Sequence, residues 1–392
     1  MDSWIHPALF FFVGALLLPL LRGKAKKGFI LLIPVAAIVS VASAQNGIYG
    51  VYHFLGVEGV FGRVDKLSMV FAWVFVIMAF LGALYALHRE EDGHHIAGFF
   101  YVGSALGALF AGDYLTLFIF WEVMAFSSVF LIWYRKGNKA IAAGFRYLLF
   151  HVFGGLLFFA GMMLYYHKTG SLAFNSILPA NASWPEYLIL AGFALNAAVL
   201  PLHAWLPDAY PEATVEGAVF LCAFTTKTAV YVLARGFTGF EILAIMGTAM
   251  TVFGVCYAVI ENDIRRVLAY HIISQVGYMV AGVGIGTAMA VNGAAAHAFA
   301  HILYKALLFM GAGSVLYMTG TAKLSRLGGL YKYMPLTMIF YIVGAVSISG
   351  FPLFSGFVSK SMIVSAAHHE GRIWLMSWLN LAGIGTFLSV GL

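Results

Sequence analysis

Phe118-Ile119-Phe120-Trp121-Glu122-Val123-Met124-Ala125-Phe126 lies inside an apolar run over residues 114–134. One carboxylate is embedded there among side chains that belong in hydrocarbon. An apolar run of about 20 residues crosses a bilayer, and with no water there the backbone must bond to itself as a helix. A charge at the centre of such a helix costs about 3 kcal/mol or more, so it faces a partner or a wet cavity. Lysine and arginine can reach up to the interface, but glutamate is too short. The stretch reads as a membrane helix that carries a functional acid.

Outward from this stretch the pattern repeats. Apolar runs fall at about 5–21, 28–44, 67–88, 97–112, 114–134, 141–166, 186–204, 215–236, 238–260, 267–288, 290–319, 334–366 and 374–392. The 392 residues are 62% hydrophobic and 10% charged, with mean hydropathy +0.91. Soluble domains carry about 25% charged residues, and a water-soluble core could not hide this much apolar surface. The alternation of a barrel strand is missing. The expected fold is an all-α polytopic membrane protein of about thirteen transmembrane helices. There is no soluble domain, and the longest polar-leaning connections are 45–66 and 167–185. The run at 374–392 carries no polar tail, which reads as a truncated C-terminus. The first run is followed by Arg22, Lys24, Lys26 and Lys27, a stop-transfer flank rather than a cleaved signal.

The net charge of +6 does not point to nucleic acid, because the basic residues sit in short loops and form no patch. They sort by side. Arg22, Lys24, Lys26, Lys27, Arg89, Arg135, Lys136, Lys139, Arg265, Arg266, Lys323, Arg326 and Lys332 gather on one side. Arg63, Lys66, Lys168, Arg235 and Arg372 lie on the other. Cytoplasmic loops carry the excess, so the N-terminus is expected outside the cytoplasm in an inner (cytoplasmic) membrane. Cys222 and Cys256 lie in apolar runs, which excludes a disulfide framework or a tetrathiolate metal site. The segment His88-Arg89-Glu90-Glu91-Asp92-Gly93-His94-His95 and the run His368-His369-Glu370 read as solvated loops rather than metal sites. No phosphate-cradling loop, dinucleotide fingerprint or nucleophile triad is visible. No catalytic residue, metal or cofactor is therefore expected in this chain.

Within the runs, Arg146, Lys227, Lys305 and Lys360 are basic, and Arg146 is near enough to a span end to snorkel. Lys227 reads as mid-span. His297, His301 and Lys305 follow at i, i+4 and i+8, which stacks them on one helix face. Histidine titrates near neutrality, so such a stripe can relay protons through bridging water. The bland alternative for each histidine is a helix-to-helix hydrogen bond. Pro201 and Pro352 mark two helix interruptions, in the segments Leu200-Pro201-Leu202-His203 and Gly350-Phe351-Pro352-Leu353. Paired interruptions point to a repeat with a midplane ion site.

Several motifs, in order from about residue 95 to 365, resemble one family. They are Phe120-Trp121-Glu122-Val123-Met124, Pro201-Leu202-His203-Ala204-Trp205-Leu206-Pro207-Asp208-Ala209 and Lys227-Thr228-Ala229. Asp263-Ile264-Arg265-Arg266, Ser274-Gln275-Val276-Gly277-Tyr278, His301 with Tyr304-Lys305-Ala306, and Ser355-Gly356-Phe357-Val358-Ser359-Lys360 complete the set. The family is the antiporter-like membrane subunits of respiratory complex I, membrane-bound hydrogenases and Mrp-type multisubunit cation/proton antiporters. The segment Pro207-Asp208-Ala209-Tyr210-Pro211-Glu212 is most similar to the Mrp D-type or hydrogenase-type branch. The resemblance implies about fourteen helices, with two inverted repeats of about five helices, each containing a broken helix. It also implies a division into N-terminal helices (1–95) and a proton-conducting domain (96–392).

By the same resemblance, Glu122 pairs with a lysine on the first broken helix, and Lys227, Lys305 and Lys360 form a central axis joined by the relay histidines His297 and His301. The lysine position is Asn196 here, a departure that leaves Glu122 without its usual partner. The expected function is translocation of protons, with sodium as the second candidate ion. The chain would act as one subunit among other membrane subunits, and any enzyme activity would belong to the assembly. The competing expectation is a non-conducting structural subunit, for which Asn196 is the argument.

Overall fold

The computed structural model describes residues 4–54 and 56–391. The chain divides into two compact units, Met1–Asn196 and Ala197–Leu392. The first unit contains α1 (Pro7–Leu17), α2 (Gly23–Ser43), the strands β1 (Gly47–Phe54) and β2 (Val57–Val64), α3 (Lys66–Tyr85), α4 (Asp92–Phe110), α5 (Tyr114–Trp133), α6 (Asn138–Thr169) and α7 (Trp184–Asn196). The second contains α8 (Trp205–Ala209), α9 (Val215–Ala223), α10 (Thr225–Gly236), α11 (Glu241–Ile260), α12 (Ile264–Ile285), α13 (Ala288–Thr319), α14 (Pro335–Ser349), α15 (Ser355–His369) and α16 (Ile373–Gly391).

Among the described residues, nine helical segments are long and apolar enough to cross a membrane. Large apolar side chains on the outer face of α6, such as Leu149 at 69% and Leu156 at 61% exposure, would be costly in water and suit lipid. By contrast α9 and α10 together are buried from Glu216 to Gly236. Small residues let α11 and α12 approach closely. A Cβ on Gly284 would lie 2.0 Å from the Ala244 nitrogen, and one on Gly247 would lie 2.3 Å from the Ala281 nitrogen. Membrane helices associate through such small-residue contacts, since lipid offers no hydrophobic drive between them.

The expectation of an all-α fold needs correction. The connection at 45–66 is an antiparallel hairpin, with Gly47 opposite Val64 and Phe54 opposite Val57. A hairpin is marginal alone, and this one is tied down. The Val60 amide donates to Asp113 Oδ2 at 2.7 Å, Arg63 donates to the Phe174 carbonyl at 2.7 Å, and the Tyr52 and Thr116 hydroxyls meet at 2.8 Å. Asp113 also caps α5 through the Thr116 amide. The sequence signal was the run Ile48-Tyr49-Gly50-Val51-Tyr52, rich in β-branched and aromatic residues.

Three further readings change. The segment at His88–His95 is not wholly a solvated loop: α4 starts at Asp92, and His94 and His95 are buried in its first turns. Just before it, Glu91 accepts from Lys136 at 3.1 Å, and this bond holds its carboxyl below the usual range. Arg265 is not a loop cation. It is buried, and its Nη2 donates to the carbonyls of Tyr210, Ala213 and Thr214 at 3.0–3.3 Å. Arg235 is also buried, with Nε donating to the Tyr231 hydroxyl at 2.7 Å.

One set of connections recurs in both units. Asp113 and Asp263 each cap the helix that follows and bridge to Ala173 and Lys323 respectively. Tyr114 N–H donates to the Leu172 carbonyl, and Ile264 N–H to the Ala322 carbonyl. The Thr169 hydroxyl bonds to the Tyr165 and Ser171 carbonyls, and the Thr319 hydroxyl to those of Val315 and Thr321. The helices α6 and α13 both run 32 residues and end on left-handed glycines, Gly170 and Gly320. The residue numbers differ by the same amount at every one of these pairs.

Candidate functional site

The titratable side chains within the membrane helices form one group in each unit. In the first, Glu122 is half-buried on α5, and its Oε1 is shielded with no hydrogen-bond partner among the described residues. Its carboxylate occupies space that Gly155 on α6 leaves open, because a Cβ at Gly155 would lie 2.0 Å from Oε1. One turn earlier on α6, His151 is buried and stacks on Tyr147 at 4.0 Å between ring centroids. The Tyr147 hydroxyl meets that of Ser128 on α5 at 2.8 Å. Asn196 closes α7. It is fully buried, and neither amide atom has a hydrogen-bond partner among the described residues.

The chain loses its helix after Asn196. Ala198 takes φ 55°, the Leu200–Pro201 bond is cis, and regular structure resumes at Trp205. Proline lacks an N–H and pushes the residue before it away from the α region, so the interruption at Pro201 follows from the residue itself. The run read as one span over 186–204 is therefore the short helix α7 and an irregular segment.

In the second unit Lys227 lies mid-span, as read, within Val215–Gly236, but that span is broken. It lies in the first turn of α10, after a break at Phe224, where φ is −105° and ψ is −64°. Its Nζ donates to the Cys222 carbonyl at 2.6 Å and to Thr226 Oγ1 at 3.0 Å. Lys360 is arranged in a similar way. The run at 334–366 divides into α14 and α15 around Gly350, Pro352 and Leu353, with Gly350 at φ 74° and Leu353 at φ 76°. In an unbroken helix the Ile348 carbonyl would take the N–H of residue 352, and Pro352 has none. Lys360 Nζ donates to that carbonyl at 2.7 Å. Each lysine thus holds a carbonyl at the end of the helix before its break, where the helix dipole favours a cation.

The stripe on α13 forms as the spacing predicts. His297, His301 and Lys305 are all fully buried, and the two imidazoles lie 6.1 Å apart. His297 Nδ1 meets Ser359 Oγ on α15 at 2.8 Å, which joins the stripe to the residue beside Lys360. Both ring nitrogens of His301, Nε2 of His297 and Nζ of Lys305 have no hydrogen-bond partner among the described residues. Lys360 also lies 5.1 Å over the Tyr278 ring and lines an open cavity of about 470 Å³ with Pro352, Asn380 and Ser365. Buried polar atoms without a protein partner are costly unless water reaches them. The arrangement suits a chain of waters along α13 that carries protons between basic groups.

Two buried histidines escaped the sequence reading. His271 pairs with Ser389 Oγ at 2.8 Å through Nε2. His151 lies in the apolar run over 141–166, where a lone histidine attracts little notice. The usable signal was its offset from His301, which equals the offset of the recurring connections.

Comparison with known proteins fits this picture. Residues 111–389 match the family model described as NADH:quinone oxidoreductase/Mrp antiporter, transmembrane. The chain is 33% identical over 374 residues to the D-type subunit of the Na(+)/H(+) antiporter of Alkalihalophilus pseudofirmus, a match covering 88% of this chain and 75% of that protein. It is 30% identical over 397 residues to the N-type subunit of the NADH-quinone oxidoreductase of Desulforudis audaxviator, covering 93% and 79%. The structure of an archaeal membrane-bound sulfane sulfur reductase superposes with TM-score 0.86 at 26% identity, over 98% of this chain and 84% of that one. This multi-pass membrane chain belongs to the NADH:quinone oxidoreductase/Mrp antiporter transmembrane family.

Proposed function

We propose that this chain is a proton-translocating membrane subunit of a multisubunit complex, moving protons along Lys227, Lys305, His301, His297 and Lys360 in one unit and through Glu122 in the other. The observation that carries this reading is the α13 stripe. Three buried titratable groups stand on one helix face, with unpartnered nitrogens at His301 and Lys305 and a link through Ser359 to Lys360. Retaining such groups in a membrane is costly, which favours a working role. Family membership and the names of the relatives support the same reading.

The finer features belong to this proposal. The chain carries two inverted five-helix repeats, and the connections that recur at 113–173 and 263–323 support the repetition. Pro201 and Pro352 mark its broken helices. The N-terminus faces away from the cytoplasm in an inner membrane, and other membrane subunits flank the chain. Sodium is the ion exchanged if the host complex is driven by a gradient. A second reading, a non-conducting spacer, is favoured by one observation: Asn196 offers Glu122 no cation.

The test is to purify the complex in mild detergent, identify what copurifies, and measure proton flux in vesicles. Lys360→Ala and Glu122→Ala should each lower flux by about a hundredfold. Parental rates in both variants overturn the conducting reading in favour of the spacer.

A further inference from the structure

We infer that the groove between α14, α16 and the connection 324–331 is a binding site for one anionic phospholipid, with its acyl chains along α14 and its phosphate at Lys323, Arg326 and Lys332. The inference goes beyond ion translocation and does not depend on it.

Shape comes first. The groove is an open cavity of about 590 Å³ in the second unit. Its floor is one face of α14, where Met334, Met338, Ile342, Ala345 and Ser349 line it at steps of three or four residues. Phe387 and Val390 on α16 form a wall. Such an apolar recess is a poor host for water and a good one for hydrocarbon.

Length decides between occupants. The 15 residues of α14 span about 22 Å. The hydrocarbon of one leaflet is about 15 Å deep. An acyl chain that enters at the interface therefore reaches the middle of the membrane inside the groove, beside Ser349 and Phe351. A protein helix is too thick. A cylinder about 10 Å across and as long as α14 would fill about 1,700 Å³, roughly three times the space.

Charge selects the headgroup. Lys323, Arg326 and Lys332 are exposed in the connection that leads into α14. Leu324, Leu327 and Tyr331 line the groove, and each is the chain neighbour of one of these cations. Tyr331 and Tyr333 are exposed beside Lys332, as tyrosines are at a membrane–water interface. The acidic groups at this end are engaged elsewhere. Glu261 pairs with Arg266 at 3.2 Å, and Asp263 accepts from the first amides of α12. Among the described residues the three cations have no acidic partner. The first turn of α14 holds no acidic residue either, so the positive end of its dipole adds to the same field. Basic residues at the edge of a crevice between membrane helices recognise anionic headgroups.

The test strips the intact complex of lipid in detergent, then titrates it with phosphatidylglycerol or with phosphatidylcholine of the same acyl chains. Phosphatidylglycerol should raise the thermal midpoint by about 2 °C or more, and phosphatidylcholine should not. In Arg326→Glu/Lys332→Glu, the phosphatidylglycerol concentration that gives half of this rise should increase by about tenfold or more. Ile342→Trp, at an exposed position in the groove, should weaken the response to the same lipid with no change of charge. No rise with phosphatidylglycerol, or an equal rise with phosphatidylcholine, overturns the inference. An unchanged titration in either variant overturns it as well. A photoreactive side chain in place of Ile342 gives a separate reading in the intact complex. Cross-linking to phospholipid is expected, and cross-linking to protein alone overturns the lipid as occupant. Proton flux is not read, so every one of these results leaves the ion-translocating reading as it stands.

Discussion

Replacing Gly155 with alanine adds one methyl group, aimed at the carboxylate of Glu122. The ideal Cβ would lie 2.0 Å from Oε1 and 2.9 Å from Cδ, against an ordinary contact of 3.4 Å or more. The carboxylate must retreat by more than about 1 Å, which lies within the reach of a flexible side chain. Overpacking of this kind costs about 1–3 kcal/mol, so the complex should assemble with a lower thermal midpoint. The functional cost is larger, because a misplacement of about 1 Å in a reacting group lowers rates by about a hundredfold. Proton flux in vesicles, followed by dissipation of a pH gradient, should fall accordingly in Gly155→Ala. The neighbouring Gly154→Ala is the control. Its methyl would meet the Leu195 side chain at 3.2 Å and points away from Glu122, so flux should stay near the parental level. Equal flux in Gly155→Ala and the parent would refute the claim that the position of Glu122 sets the rate.

Asn196→Lys should raise flux by about tenfold, equivalent to about 1.4 kcal/mol, by giving Glu122 the cation it lacks; unchanged flux in the same vesicles would sink the idea that this pair is the missing coupling element. Arg265→Met should lower the thermal midpoint, since three carbonyls lose a charge-assisted donor at a cost of about 3 kcal/mol. Flux per assembled complex should be unchanged, and a selective loss of flux would show that Arg265 does more than pin the segment beside α8.

The residues that announced themselves in the sequence were those whose chemistry clashes with lipid. Glu122, the α13 stripe and the prolines at 201 and 352 could be read directly, because charge burial and a missing N–H are properties of single residues. The break at Phe224 could not be read, since nothing in Cys222-Ala223-Phe224-Thr225 forbids a helix. At the break, Lys227 Nζ takes up the Cys222 carbonyl. Arg265 reads as a loop cation because its neighbours look like a loop flank, and only the folded chain brings the Tyr210–Thr214 carbonyls to it. The hairpin is signalled only by the β-branched and aromatic run at 48–52, short and set in a polar-leaning connection between membrane runs. His151 stayed hidden because a single histidine in an apolar run carries no pattern until the second unit supplies one.

The bonds from Lys227 and Lys360 across their helix breaks also have a mechanical meaning. In an uninterrupted helix a carbonyl is clasped by an N–H that never changes its charge. Here the clasp is a lysine Nζ, whose bond is about twice as strong when the group is charged as when it is neutral. A proton leaving Nζ slackens the joint between two helical rods in the same stroke that removes the charge. Stiffness and protonation are therefore one variable at these two joints. A pull on either rod acts on the proton, and a proton arriving at the joint stiffens the rod on both sides.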